Sequence, residues 1–511
     1  MTQYLMGIDI GSYESKGVLT DTSGAVVAQV ALKHELEFLG NGQVEHDAEK
    51  VWWGETVTLC KRLLAQSGVA ADAVAGVGLS GVFSMLPVDR AGKPVRRGAI
   101  MYGVDTRSTA EVAELVERFG ADTILARTGN GLSVQNMGPK ILWLKRHEPE
   151  VFEAAHSFLP CAGAIAARLT GAFNIDHMSA GFYGPLYDPA TGDWAADLCE
   201  GIVPLDKLPA VKWASEIGGR VTAEAAAATG LAEGTPVTVG TSDVAAEALS
   251  IGVTRPGDMM LMYGSTAWIT LITPEPYRHE RLWSSPYLFP GTYSLHGGMA
   301  TSGALTRWVR DVIASDLVRG EADGGEDAYG VLTTLADNVP PGSDGIVMLP
   351  YFSGERTPID DPHARGVIFG LNITHGRAHL FRAALEGVGY SINHALEVMS
   401  EAGGKAELVS VVGGGTKSPV WLQSVSDITG VAQQVPKVVL GASYGDAFLA
   451  GFATGLIEDP AGIGAWVEME RRITPNPDNA AVYQARMRVY RELYERNRDL
   501  MHALAGEAGT A

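Results

Sequence analysis

The sequence predicts an α/β protein of two domains, each opening on a strand–turn–strand unit. Three observations lead there. At 511 residues the chain exceeds what one hydrophobic core usually serves. Strand-like apolar runs at Leu5 to Ile10, Val74 to Leu79 and Leu408 to Val412 alternate with helical patterns at 47–65 and 419–429. One arrangement also occurs twice, a strand, a Gly-Ser turn and a returning strand, at Asp9-Ile-Gly-Ser and at Tyr263-Gly-Ser-Thr. A hinge near Ile251 to Pro256 would separate an N-terminal domain over 1–252 from a C-terminal domain over 253–490. Residues 491–511 would complete a terminal helix and a flexible tail.

Composition narrows the class. Hydrophobic residues make up 46% and charged residues 19%, the balance of a well-packed chain. A net charge of -20 without a basic stripe argues against a general nucleic-acid partner. No basic, apolar leader and no uncharged run of membrane length is visible, so a cytoplasmic protein without a membrane partner is expected. Cys60, Cys161 and Cys199 lack metal-ligand spacing and read as buried fillers in a reducing compartment. A homodimer is compatible with all of this.

In chain order, Leu5 to Ile10, Lys16 to Thr20 and Ala25 to Leu32 predict a β-meander. At its first turn Gly11 permits close backbone approach, while Ser12, Ser15 and nearby N–H groups can donate to phosphate. Asp9, at the strand end, could hold a hydrated Mg²⁺. An ordinary polar hairpin is the plain alternative for this stretch alone. A P-loop is excluded, because no G-x-x-x-x-G-K-[ST] occurs and no helix follows. Asp47 to Ala65 predicts a helix capped by Asp47, and the Val74 strand runs into Ser80-Gly-Val-Phe83-Ser84. Asp105 and Arg107, with Tyr102 nearby, pair a carboxylate with an aromatic face, which suits a polyhydroxylated ligand. A surface ion pair is the alternative. Asn136 to Thr170 reads as helical, with Lys140 and Trp143 at core and rim, and Gly171 to Leu205 as loop.

Thr241-Ser242-Asp243 closes a short strand before a small-residue helix. A carboxylate at such a turn can take a proton from a substrate, or can merely cap the helix. In the second half, Gly264-Ser265-Thr266 repeats the phosphate-turn theme, and Gly303 opens a helix carrying Arg307. Gly413-Gly414-Gly415 precede Ser418, a good N-cap with Pro419 at the first helical position. That loop is no dinucleotide fingerprint: the third glycine is replaced by Ser418, and no acidic residue ends the next strand. A glycine shelf beside a helix start does suit adenine or ribose. The run from Tyr483 to Leu504, with Met487, Tyr490, Leu493, Tyr494 and Leu500, reads as a packing helix.

These segments resemble the FGGY carbohydrate kinases of the actin/sugar-kinase/Hsp70 fold class. The stretch 366–386 is similar to that family's C-terminal pattern. Asp9-Ile-Gly-Ser12, Tyr263-Gly-Ser-Thr266 and Gly413-Gly-Gly-Thr-Lys-Ser418 resemble its two phosphate motifs and its adenosine motif, and Thr241-Ser-Asp243 its catalytic segment. The resemblance implies two ribonuclease-H-like domains with a cleft between them, binding MgATP and a sugar or polyol, with Asp243 as catalytic base. Gly11, Ser12, Ser15, Gly264, Ser265, Thr266, Gly303, Arg307, Gly413, Gly414, Gly415 and Ser418 would meet ATP, and Asp9 would meet Mg²⁺.

Motif order is nearest the xylulokinase branch, which implies a pentulose acceptor met by Phe83, Ser84, Tyr102, Asp105 and Arg107. Two departures weigh against D-xylulose itself. Val82-Phe83-Ser84 stand where that branch has Gln-Met-His, and Tyr102-Gly-Val-Asp105-Thr-Arg107 where it has Trp-x-Asp-Gly-Arg. Ribulose, erythritol or glycerol is the alternative acceptor, and a non-catalytic ATP switch of the same fold the alternative class.

Overall fold

Two sheets carry the chain, and both are read in the same order. The computed structural model describes residues 2–508. In the first sheet, Tyr4–Ile10 pairs antiparallel with Glu14–Asp21, which pairs antiparallel with Val26–Lys33. On its other side Tyr4–Ile10 lies parallel to Val74–Gly81, beyond which come Pro236–Thr238 and then antiparallel Ile217–Arg220. The second sheet repeats this. Asp258–Tyr263 pairs antiparallel with Ala267–Thr273 and parallel with Leu408–Val412, followed by Gln433–Pro436 and antiparallel Met469–Ile473. The repeated hairpin is thus the visible edge of a repeated topology.

The chain divides into two compact units that interleave along the sequence. One comprises Met1–Pro256, Ile272–Ser294 and Val438–Glu468; the other comprises Gly257–Leu271, Leu295–Lys437 and Met469–Ala511. The segment 438–468, expected with the C-terminal domain, packs in the first unit instead. The reason is steric. The helix Ala442–Ala453 is almost wholly small or apolar and lies on Tyr4–Ile10 and Val74–Gly81 at backbone-contact range. A Cβ at Gly7 would stand 1.8 Å from the Ser443 carbonyl oxygen, and one at Gly78 would stand 1.8 Å from that of Asp446.

Burial explains most of the elements. The first unit's core joins Met6, Ile8 and Ile10 to Leu59 and Leu63 of the helix Gly54–Ser67 and to Ile165 and Leu169 of Cys161–Thr170. Asp47 caps the helical segment that follows it by accepting from the Lys50 amide at 3.0 Å. The three cysteines are buried and free. In the second unit the helix Arg377–Glu401 carries a buried Arg382–Glu386 pair at 2.8 Å. Glu386 also accepts from the Gly342 amide, the Ser343 hydroxyl and Tyr483 of the terminal helix.

Three local expectations change. Residues 136–170 are interrupted by a strand, Ser157–Leu159, flanked by separate helices, because Phe158 and Leu159 are needed in the core. The segment 171–205 holds short elements, including Asn174–Asp176 and His177–Gly181. In the terminal helix, Ala480–Ala508, Leu500 is 64% exposed while Met501 is buried. That helix runs unbroken past 491, and residues 509–511 of the expected tail lie outside the described residues. Among the described residues no helix is long and apolar enough to cross a membrane.

Gly7→Ala should therefore cost about 3 kcal/mol of stability, since a new methyl has no space against helix backbone. Urea denaturation checks this, and an unchanged midpoint would show that the helix moves away freely.

Candidate active site

The first unit gathers carboxylates where parallel strands end. Tyr4–Ile10 delivers Asp9 opposite Ser80, and Thr241 lies opposite Ser80 on the strand's other side. Ser80 Oγ stands 3.0 Å from Asp9 Oδ1 and 2.6 Å from Asp446 Oδ2. A hydroxyl has one proton to give, so one of these carboxyls must supply its own. Asp446 is the one held neutral: it is fully buried, and burial and then the Asp9 charge lift its pKa well above the carboxylate range. Its Oδ1 bonds no described partner.

Asp243 begins the helix Asp243–Ser250, but it does not cap it. Ser242 is the N-cap and accepts from the Ala245 amide at 3.2 Å, which leaves the Asp243 carboxylate free of that duty. Asp243 Oδ1 accepts from the Val244 amide at 2.8 Å, and Oδ2 has no bonded donor among the described residues. Burial raises the Asp243 pKa. Burial and then the Asp243 charge do the same to Asp9, against the Ser80 hydrogen bond, which lowers it. Glu247, one turn on, is also raised by burial, with Lys16 opposing.

Such crowding fits a hard cation with oxygen ligands. Among the described residues no group of three or more His, Cys, Asp or Glu side chains could cage a metal. A Mg²⁺ that arrives on a nucleotide and needs only one or two carboxylates suits that donor set.

The Gly11–Ser12 turn lies beside Asp9. Ser15, expected to donate there, is fully buried on the returning strand, with its hydroxyl unbonded among the described residues. The cause is the period of two: strand residues alternate faces, and Ser15 faces inward.

The predicted acceptor residues divide. Ser84 is 1% exposed and donates to the Val82 carbonyl at 2.8 Å, so its hydroxyl is not offered to a ligand. Phe83 is half-buried and stacks on Phe182 at 3.8 Å, giving that wall an aromatic face. Asp105 and Arg107 form no surface pair. Asp105 accepts from Arg107 Nη2 at 2.7 Å and from the Val44 amide at 2.7 Å, and Arg107 Nη2 also reaches Glu45 Oε1 at 2.7 Å. Lys140 Nζ donates to the Tyr102 and Asp105 carbonyls at 3.0 and 2.7 Å, and burial depresses its pKa to about 7. The Asp105 carboxylate is therefore spent on holding the Tyr102–Arg107 turn. Lys140 belongs to that network, as its place in a buried helix stretch could have suggested.

In the second unit a cavity of about 740 Å³ is lined by Tyr263, Gly264, Ser265, Gly303, Arg307, Gly414, Gly415 and Ser418. Tyr329, Phe381, Leu385 and Trp421 are among the other lining residues and were not foreseen. Phe381 was legible in principle, since it lies within the 366–386 pattern. Gly413 (φ 94°) and Gly415 pack directly on Tyr263, whereas Thr266 is exposed beside the cavity. Ser418 occupies the N-cap position without capping. Its buried Oγ is unbonded among the described residues and lies at the cavity wall.

Known proteins are similar to this chain in sequence and fold. Residues 4–250 match the FGGY family of carbohydrate kinases, N-terminal domain, and residues 259–454 match its C-terminal domain. A gluconokinase of Bacillus subtilis is 28% identical over 494 residues, covering 96% of this chain and 95% of its own. An autoinducer-2 kinase of Klebsiella pneumoniae is 30% identical over 508 residues, covering 96% and 93%. The crystal structure of xylulose kinase from Rhodospirillum rubrum aligns with a TM-score of 0.90 at 32% identity, covering 98% of this chain and all of that one.

A Cβ at Gly303 would stand 2.6 Å from the Gly264 carbonyl oxygen. Gly303→Ala should thus displace the turn and weaken ATP binding by about tenfold or more. Calorimetric titration of the folded variant checks this, and wild-type affinity would remove Gly264 and Gly303 from the nucleotide site.

Proposed function

Because the chain belongs to the FGGY family of carbohydrate kinases, and so is an ATP-dependent sugar phosphotransferase, we propose that Asp243 is its base and a pentulose-like ketose its acceptor. The observation that carries the assignment is the uncapped Asp243 carboxylate, with one oxygen bonded to its own helix and the other open. Asp243 orients the acceptor hydroxyl and takes its proton as the oxygen bonds the γ-phosphorus. The bond from that phosphorus to the bridging oxygen breaks, and ADP leaves. A sugar hydroxyl is a weak acid, so the proton moves late and an ordinary carboxylate suffices. Asp9 would hold the Mg²⁺ of MgATP, whose charge neutralises the phosphates when bound. The second unit's cavity takes the nucleoside, with the glycine shelf at Gly413–Gly415 against its flat base or ribose. The Gly264 turn and the Gly11 turn are each suited to meet phosphate.

The acceptor reading rests on motif order, which is nearest the xylulokinase branch. The relatives named above are kinases for xylulose, gluconate and autoinducer-2, so the family site takes several small acceptors. Here the Phe83–Phe182 stack replaces a polar reach, because Ser84 turns away. Ser84 stands where the xylulokinase branch offers a histidine to the sugar, and that polar contact is missing here, so D-xylulose should not be the best substrate.

Asp243→Asn should reduce kcat by about a thousandfold with ATP affinity preserved. Near-normal turnover at saturating substrates would refute the assignment. The base must be ionised, and burial raises its pKa. Activity should therefore fall, as pH is lowered, at a pH above the ordinary carboxylate range. An ADP-release screen over pentuloses, hexuloses, polyols and sugar acids tests the acceptor; D-xylulose giving the highest kcat/KM would overturn that part.

A further inference from the structure

Beneath the Gly11–Ser12 turn sit two imidazoles. His34 Nε2 is 3.0 Å from the Gly11 carbonyl oxygen, and His46 Nε2 is 3.0 Å from that of Ser12. The third carbonyl of the turn, on Tyr13, accepts from the His34 backbone amide at 3.0 Å. Three consecutive carbonyls are thus tied to the protein. The Gly11 amide bonds Glu14 at 3.1 Å, while the Ser12 and Tyr13 amides donate to no acceptor among the described residues. Consecutive free amides whose carbonyls are held away form an anion-binding nest.

Hydrogen-bond logic fixes the protonation of both rings. A carbonyl only accepts, so each Nε2 carries a proton. His34 Nδ1 lies 3.0 Å from Glu55 Oε2, a carboxylate, and must donate there as well, which makes His34 an imidazolium. His46 Nδ1 instead accepts from Trp52 Nε1 at 3.2 Å, so His46 is neutral. The charged and titratable groups facing His34 are Glu55 and, edge-on at 4.9 Å, His46. Burial alone would depress the His34 pKa, but Glu55 and the Gly11 and Ser12 carbonyls outweigh it and leave the pKa raised. His46 is pushed down to about 4 by burial. The second unit's twin turn is held by different means: the Gly264 and Ser265 carbonyls accept from the amides of Gly303, Ser302 and Ala304. Among the described residues no helix start ties back the first turn's carbonyls, and side chains take that role.

We infer that His34 and His46 are positioning residues for phosphoryl transfer: they pin the carbonyls of the Gly11–Ser12 turn so that its free amides face the transferred phosphoryl group, His34 acting as an imidazolium. This rests on the reading that the turn meets phosphate. His34 works while protonated, so its contribution is present below its raised pKa and is lost as pH climbs through it.

The test compares His34→Ala, His34→Gln and Gly11→Val in steady-state kinetics across pH, with folding checked by thermal denaturation. His34→Ala should lower kcat about tenfold or more at neutral pH, the range for a charge-assisted hydrogen bond. Its binding of the acceptor sugar alone should be unchanged. His34→Gln keeps a donor for Gly11 but has no proton to lose. It should recover much of kcat and lack the wild-type decline on the alkaline side. A folded His34→Ala with wild-type kcat and pH profile overturns the inference if Gly11→Val loses activity. If Gly11→Val is also fully active, the phosphate reading of the turn fails and the inference fails with it.

Discussion

Confining several carboxylates at the end of one sheet is the constraint on which the rest of the first unit depends. Asp9, Asp243 and Asp446 share Ser80's surroundings, and each charge makes the next harder to carry. Burying an unpaired charge costs several kcal/mol, so the protein neutralises one group instead. Asp446 keeps its proton and reaches Ser80, Ser80 reaches Asp9, and Asp243 keeps an open oxygen. The helix that carries Asp446 must then press on the sheet, and Gly7 and Gly78 give it room to do so. Sequence, packing and chemistry meet in that one contact.

The two sheets solve a common problem with unlike parts. Each unit has a Gly-Ser turn between antiparallel strands, and each turn must direct amides outward against its own carbonyls. In the second unit a helix start ties the carbonyls back, with Gly303 permitting an approach that a methyl would forbid. In the first unit the imidazoles do it, and Glu55 and Trp52 set their protonation. The 366–386 stretch, the most family-like in the chain, has a double role of the same kind. Phe381 and Leu385 face the second unit's 740 Å³ cavity, while Arg382 and Glu386 lock the helix to the Gly342 loop and to Tyr483.

What was legible in the sequence was what local pattern controls. Glycine at a turn and a carboxylate at a strand end leave marks within ten residues, and so Asp9, Asp243 and the Gly264 turn stand out in the sequence as candidates. The cavity wall at Tyr329 and the carboxyl of Asp446 could not, because their roles come from pairings across tens to hundreds of residues. A single acid inside the otherwise apolar 442–453 helix was the one available sign of Asp446. Ser15 and Ser84 misled for a related reason. A serine beside a glycine turn looks like a donor, but strand alternation turns Ser15 inward, and Ser84 finds a nearer partner in Val82. Asp105 and Arg107 were correctly paired but not correctly placed, since nothing local shows that Glu45 and Lys140 enclose them.

The central claim is that the protein holds Asp243 in surroundings that lift its pKa while leaving one oxygen open. Infrared difference titration of the carboxyl band, assigned by subtracting Asp243→Asn, measures this directly. The account predicts that the Asp243 carboxyl gains its proton well above 3.8, the value of an unperturbed aspartate. Titration at that unperturbed value in the folded protein would contradict it.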